Sequence, residues 1–435
     1  MVISASISFR GVPKAIHTIY SSHKAFQDKK IPTNTSVRRW ITRLGLYKLS
    51  CPLEHANDWA AVIDASIQVG DHKCLMILGI RLSQLEVGRP LALDDLTVLG
   101  LEMHRRCNAA TISAALERAS ARVGSLRMIC ADQGSDIVSG VSLFQRSHPC
   151  TKLIADITHK IALFLKRELE GDQEWLQFCQ CASQTKSQVQ QTKFAHLSPP
   201  NQRSKCRFMN LEGLVKWGKK MLEHLDGLEN CSEYNPKAND SEKFFGWLRN
   251  HRSLIASCDD FMKVVSETRH IVRTSGMHRK VGKRLYSALY SFSLSTRACQ
   301  LAGELIDFVK EQAKKVPKGE TWIGSSECIE SLFGKLKSLE KDQNKGGFTA
   351  LVLAAAACVG KVDADTVGKA LHTVRNVDVN DWERRNIGAT LQAQRKRELG
   401  RRRSKVDIGE PKTTDRRQTG RKYSGCPEED LQAAS

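Results

Sequence analysis

Three acidic residues stand where an uncompensated charge is costly. Asp64 interrupts the apolar, β-rich run AVIDAS, and Asp132 directly follows a second apolar run in RMICADQGSD. Glu330 lies on the helical pattern SSECIESLFGKLK. A charge inside a core strand or at its end is unfavourable unless it is paired or metal-bound. Carboxylates brought to one point repel each other, and divalent cations relieve that repulsion. Mg²⁺ prefers hard oxygen ligands and keeps positions open for water and phosphate. Two such ions, about 3.5–4 Å apart, activate a water or 3′-hydroxyl and stabilise the leaving oxygen of an in-line phosphoryl transfer. Each acid also has a plainer reading: a satisfied strand-end aspartate for Asp64, a turn for Asp132 with Gln133 and Gly134, and a helix surface for Glu330. Their combination on strand, strand end and late helix is what points to a metal site.

Positioning such acids requires a sheet. WAAVIDASIQV (Trp59–Val69) and KCLMILGIRL (Lys73–Leu82) flank the turn signal Gly70-Asp71-His72 and predict a hairpin. A third strand is expected near Leu96–Met103, then a helix over Ala109–Val123, a strand over Leu126–Ala131 and a helix over Ile137–Arg146. A strand over Lys152–Ala155 and an amphipathic helix over Thr158–Leu169 complete the run. The order β-β-β-α-β-α-β-α predicts a mixed sheet flanked by helices. From Asp172 to about Lys318 strand signals vanish, and helices are expected near Trp175–Ala195, Leu211–Leu225, Ser241–Leu248, Phe261–Thr274 and Leu301–Lys315. Apolar Leu351–Val359 follows the glutamate helix, and beyond about Asn376 the chain turns polar and basic, with the run RKRELGRRRSK and a last ~25 residues of disordered character.

Ahead of the hairpin, Ser36 is a suitable N-cap for a helix over Val37–Leu44, with Gly45 as its stop. Val37, Trp40, Ile41 and Leu44 make an apolar stripe opposite Arg38, Arg39, Thr42 and Arg43. This suits a helix-turn-helix recognition element, the alternative being an ordinary solvated basic helix. Lys and Arg number 67 against 47 Asp and Glu, a net charge of +20, which favours a polyanionic partner. Hydrophobic residues at 41% argue against wholesale disorder, and no apolar run reaches the ~18–20 residues of a membrane span. The 14 cysteines show no paired metal-ligand spacing and read as reduced thiols. Phosphate-binding G-x-x-x-x-G-K-[ST], G-x-G-x-x-G, G-x-S-x-G and H-E-x-x-H are all absent, so no nucleotide partner is expected.

VIDAS, CADQGSDIVSG and SSECIESLFGKLK resemble the three acidic motifs of DDE transposases and retroviral integrases, which share a ribonuclease H-like fold. DQGSD is similar to the D-N-G-S segment, and IESLFGKLK to the I-E-S-x-N-x-x-L-K helix. The resemblance makes Asp64, Asp132 and Glu330 the catalytic, metal-holding carboxylates, with Glu327 as the alternative glutamate. Asp132 lies 68 residues after Asp64, and Glu330 lies 198 after Asp132, a gap that some transposases fill with an insertion. The implied architecture is an N-terminal DNA-binding module (1–58), a core in two parts (59–170 and 320–375), a helical insertion (171–319) and a basic tail (376–435). Asp156-Ile157-Thr158-His159 resembles the (C/D)-x-x-H motif of hAT and Mutator-like transposases and places Asp156 and His159 near the site; the plainer readings are an N-cap and a core histidine. Lys335 and Lys337, and Arg203, Lys205 and Arg207 after two prolines, are expected at DNA phosphates. Trp175, Trp217 and Trp247 read as core, or by analogy as a base-stacking ring. The resemblance implies a cytoplasmic, nucleoid-associated bacterial enzyme using two Mg²⁺ (or Mn²⁺) ions on double-stranded DNA, active as a homo-oligomer. The alternatives are a ribonuclease H-like nuclease or resolvase, or a silent DNA-binding derivative.

Overall fold

A computed structural model describes residues 1–23, 26, 28–69, 71–202, 211–229, 236–341, 350–388, 395 and 397–399. Met1–Gly388 forms one compact unit and Ala389–Ser435 a second. The basic run at 395–405 and the tail beyond it fall almost wholly outside the described residues.

The chain opens with α1 (Val2–Ala5), α2 (Gly11–Ser22) and α3 (Asn34–Ser50), followed by β1 (Ala56–Val69), β2 (His72–Arg81), β3 (Thr97–His104), α4 (Ala109–Val123), β4 (Gly124–Ala131), α5 (Ser135–Ser147), β5 (Lys152–Ala155) and α6 (Ile157–Leu169). These elements match the expected β-β-β-α-β-α-β-α order. The strands pair as β3-β2-β1-β4-β5, antiparallel across the first three and parallel from β1 to β4 to β5. That mixed sheet is consistent with the ribonuclease H-like fold which the resemblance implies. Period-2 alternation divides β1 cleanly: Ala61 and Ile63 pack with α4 and α5 through Ile112, Leu116, Val141 and Phe144. Ala60 and Val62 join the opposite core, which holds Ile161, Ile329 and Leu332.

A helical region follows: α7 (Gln173–Val189), α8 (Leu211–Glu229), α9 (Pro236–Phe245), α10 (Arg252–Ser275), α11 (Val281–Tyr290) and α12 (Thr296–Lys314). The helix α11 is not anticipated from the sequence; it is only ten residues long and lies between two better signals. The tryptophans here are packing groups. Trp175 is buried, Trp217 and Trp247 lie 6.3 Å apart, and the indole N–H of Trp247 donates to Thr185 Oγ1 while that of Trp217 donates to the Leu197 carbonyl. The chain returns with α13 (Glu327–Lys341), α14 (Leu353–Ala357), α15 (Ala364–Thr373) and α16 (Asn376–Asn386), so ordered helix extends past the expected start of the tail at 376. No helix among the described residues is long and apolar enough to cross a membrane.

The N-terminal expectation needs correction. Thr33, not Ser36, caps α3 by accepting from the Ser36 N–H, and the helix runs through Gly45 to Ser50. A Cβ on Gly45 would sit 1.9 Å from the Leu353 carbonyl oxygen, so glycine permits close approach to α14 rather than ending the helix. Because α3 packs against α14, α15 and β3 together, its buried arc is wide and rotated from the apolar stripe. Thr42 is therefore buried and Trp40 is exposed, the reverse of the expectation. Arg43 donates to the carbonyls of Leu371 and Val374 at the end of α15, which occupies it inside the protein. Lys48 similarly donates to carbonyls at and just past the end of α14, including Ala357 and Gly360, and burial pulls its pKa down to about 8. Arg38 is half-buried and Arg39 exposed.

Candidate metal centre

Sheet register positions the acids. In the parallel β1–β4 pair Ile63 lies opposite Ala131, and in β4–β5 Ala131 lies opposite Ala155. The next residues along the three strands are Asp64, Asp132 and Asp156, so three aspartates form a row where the parallel β1–β4–β5 pairing ends, with β1 continuing past Asp64 to Val69. Asp64 shares its parity with Val62 and faces the side of the sheet on which α13 packs. A bulge follows it, where the β1–β2 register shifts between Asp64 and Ile67. Asp132 ends β4; its Oδ1 accepts from the Gly134 N–H in a short turn before α5.

Asp156 is the buried member of the row. Its Oδ1 accepts from the N–H groups of Thr158 and Ser326, both at 3.1 Å. Its Oδ2 accepts from the His159 N–H at 3.2 Å and the Ser326 hydroxyl at 2.8 Å, and pairs with His159 Nδ1 at 3.1 Å. Burial disfavours the Asp156 carboxylate, but these donors outweigh it and hold the pKa below the ordinary value. One carboxylate thus caps α6 and ties down the segment just before α13, 170 residues away. The Ile157 N–H donating to the Gly324 carbonyl and a Thr158–Ser325 hydroxyl contact complete the join. The N-cap reading of Asp156 and its role at the strand–helix junction are one arrangement. Ser325 and Ser326 hold this join and were not singled out from the sequence; serines directly before an acidic helix turn are the available signal.

The join delivers α13 over the sheet ends. Glu330 Oε1 lies 4.0 Å from His159 Nδ1, and Asp132 Oδ2 lies 3.9 Å from His159 Nε2. Burial, followed by the negative charge of Asp156, pushes the Glu330 carboxyl up to about 7, with Glu327 and Asp64 adding to the shift and His159 opposing it. Contact with Asp156, and then the Asp132 and Glu330 charges, push the His159 imidazolium up to about 9. An imidazolium among carboxylates therefore supplies part of the positive charge that this corner needs. Asp156, His159 and Glu330 each offer a ligand atom within 4.8 Å of the others and could hold a metal ion. The Asp156 oxygens already accept several hydrogen bonds, so Glu330 is the less engaged oxygen ligand of that group.

Glu327 takes a different path. It is three residues before Glu330, yet its Oε2 pairs with Arg273 Nε of α10 at 2.8 Å. Helical geometry separates the two faces of α13: Glu330 and Lys337 share one, while Glu327, Ser331 and Lys335 line a neighbouring cavity of about 340 Å³ with Arg273 and Trp322. Lys337 is exposed beyond Glu330, and Lys335 is half-buried in the cavity wall. Neither described cavity is lined by Asp64, Asp132 or Glu330. Arg203, Lys205 and Arg207 lie outside the described residues.

No family model and no curated protein matches the sequence. Among solved structures, the chain is similar to a Drosophila P element transposase strand transfer complex, at 11% identity and a TM-score of 0.38, over 82% of this chain and 90% of that one. The functional reading therefore rests on the carboxylates and their surroundings.

Proposed function

We propose that the chain is a DDE-type DNA transposase that cuts DNA at element ends and joins the freed 3′ ends to target DNA. The observation that carries this reading is the convergence of Asp132 and Glu330 on His159, with Asp64 in the adjoining register position. Aspartates in a row where the parallel pairing ends and a glutamate from a helix distant in sequence suit hard divalent cations. The raised Glu330 pKa comes first from burial and then from neighbouring carboxylates, and a bound cation would oppose both. Asp64, Asp132 and Glu330 would hold Mg²⁺ or Mn²⁺, with two ions expected, and the metal would activate the attacking oxygen and neutralise charge on the phosphate. Asp156 orients His159 and fixes the start of α13. Glu327, held by Arg273, acts on Glu330 through its charge and is not one of the ligands. Lys337, on the Glu330 face, and exposed Arg39 meet DNA phosphates. A homo-oligomer holds two element ends at once.

A strand-transfer assay on double-stranded DNA carrying the element's ends, with Mg²⁺ or Mn²⁺, tests the reading. Joined product that vanishes with Asp132→Asn is the expected result. Cleavage without joining would instead indicate a ribonuclease H-like nuclease or resolvase. Binding without metal-dependent chemistry would indicate a silent derivative.

A further inference from the structure

No Asp or Glu occurs between Glu267 and Glu304, whereas seven Lys and Arg do. Two of those cations are used internally: Arg273 pairs with Glu327, and Arg297 with Asp172. Arg279, Lys280, Lys283 and Arg284 are all exposed and make no ion pair with any described residue. They surround α11, whose inner face is firmly seated: Val281, Leu285 and Leu289 are buried, and a Cβ on Gly282 would meet Lys310 at 2.5 Å. The outer face repeats at helical spacing through Arg279, Lys283, Tyr286 and Tyr290. Tyr286 and Tyr290 are 53% and 78% exposed, and their rings stack with centroids 5.9 Å apart and planes 29° from parallel. The field here is positive enough that Arg284 and Lys280 reinforce burial in lowering the His278 pKa.

Exposed aromatic rings amid unneutralised cations are the two components of a sequence-tolerant single-strand site: π-faces for bases and positive charge for the backbone. A protein partner would need acidic groups against these cations and would gain little from the outward ring faces. We infer that the outer face of α11 binds unpaired nucleic acid, with Tyr286 and Tyr290 stacking on bases and Arg279, Lys280, Lys283 and Arg284 holding phosphates. The surface shares no residue with the carboxylate corner, and the inference stands whether or not that corner cleaves DNA.

The test is fluorescence anisotropy of the full chain in EDTA with a labelled dT20 strand and a 20-base-pair duplex. Tyr286→Ala/Tyr290→Ala should weaken dT20 binding on the order of tenfold or more, because each stacked base contributes that scale of effect. Duplex binding should change less than about twofold, since paired bases present no free face. Tyr286→Phe/Tyr290→Phe should retain dT20 affinity, and Lys283→Gln should lower the dT20 salt slope by about 0.7. All these side chains are exposed, and melting curves of the variants check that the fold is kept. Unchanged dT20 affinity in the alanine variant, or equal losses on strand and duplex, would overturn the inference; the first result would point to a protein as the occupant of this face.

Discussion

Two neighbouring carboxylate environments at the ends of the parallel strands behave oppositely. Asp156 is fully buried, accepts from donors on α6 and on the segment before α13, and keeps a lowered pKa. Glu330 is partly exposed, faces other carboxylates and has its pKa raised to about 7. Burial disfavours charge in both places; the partners decide the outcome. An acid surrounded by donors stabilises the fold, whereas a half-buried acid facing other carboxylates costs stability in its charged form. The difference marks Asp156 as a structural tie and leaves the Asp132–Glu330 corner as the place for the proposed metal chemistry.

The sharpest way to break this contrast is to neutralise one member of each environment. Asp132→Asn or Glu330→Gln should lower metal-dependent cleavage on the order of 10³-fold, since the metal supplies several kcal/mol of charge stabilisation. Either substitution should leave the urea unfolding midpoint unchanged or higher. Asp156→Ala should do the reverse in kind. It strands buried donors on Ser326 and Thr158 and removes the α6 cap, for a loss of about 3–5 kcal/mol in urea unfolding. Near-normal stability of the Asp156 variant would erase the distinction.

Proton linkage gives an intermediate effect. The folded Glu330 carboxyl holds its proton up to about pH 7 against an ordinary value of 4.5, and His159 up to about pH 9 against 6.5. In both cases the folded state binds protons more tightly than the unfolded chain. Metal-free protein should therefore lose stability as pH rises, from 4.5 to 7 through Glu330 and from 6.5 to 9 through His159. Asp156 works in the other direction: its contribution is lost only on the acid side, as pH falls below the ordinary aspartate range. Thermal melts in EDTA at pH 5, 7 and 9 check the trend. Mn²⁺ should raise the melting temperature more at pH 8 than at pH 6, because ligation requires Glu330 to release its proton. A flat profile would remove the crowding argument.

The smallest effects concern α3. Arg43→Ala should cost about 1.5–3 kcal/mol of stability through its lost charged hydrogen bonds, with no change in the salt dependence of DNA binding. Arg39→Ala should leave stability within about 0.5 kcal/mol and reduce the salt slope by about 0.9. Denaturant melts and salt titrations on one duplex separate the two.

Strand and helix identities were legible because they rest on local patterns. Apolar β-rich runs around a turn signal mark β1 and β2, and α4 and β5 fall on their expected bounds. Asp64 and Asp132 stand out in the sequence because each interrupts or ends an apolar run, whereas Glu330 stands out only through its motif. Which face α3 exposes was not legible. A single apolar stripe assumes one partner, and α3 packs on several, which buries Thr42 and releases Trp40. Nor do Glu327 and Glu330 differ locally, since both occupy the first turn of one helix; only Arg273 on one side and His159 on the other separates them.

Sequence alone therefore determined which residues carry unusual charge and which segments become strands, because both depend on near neighbours and on water. Tertiary structure decided which of those charges meet. The parallel register aligns Asp64, Asp132 and Asp156, and the Asp156–Ser326 hydrogen bonds bring Glu330 to them across a long helical excursion. Hydrogen bonds and charge act over a few ångströms in space, whatever the separation along the chain.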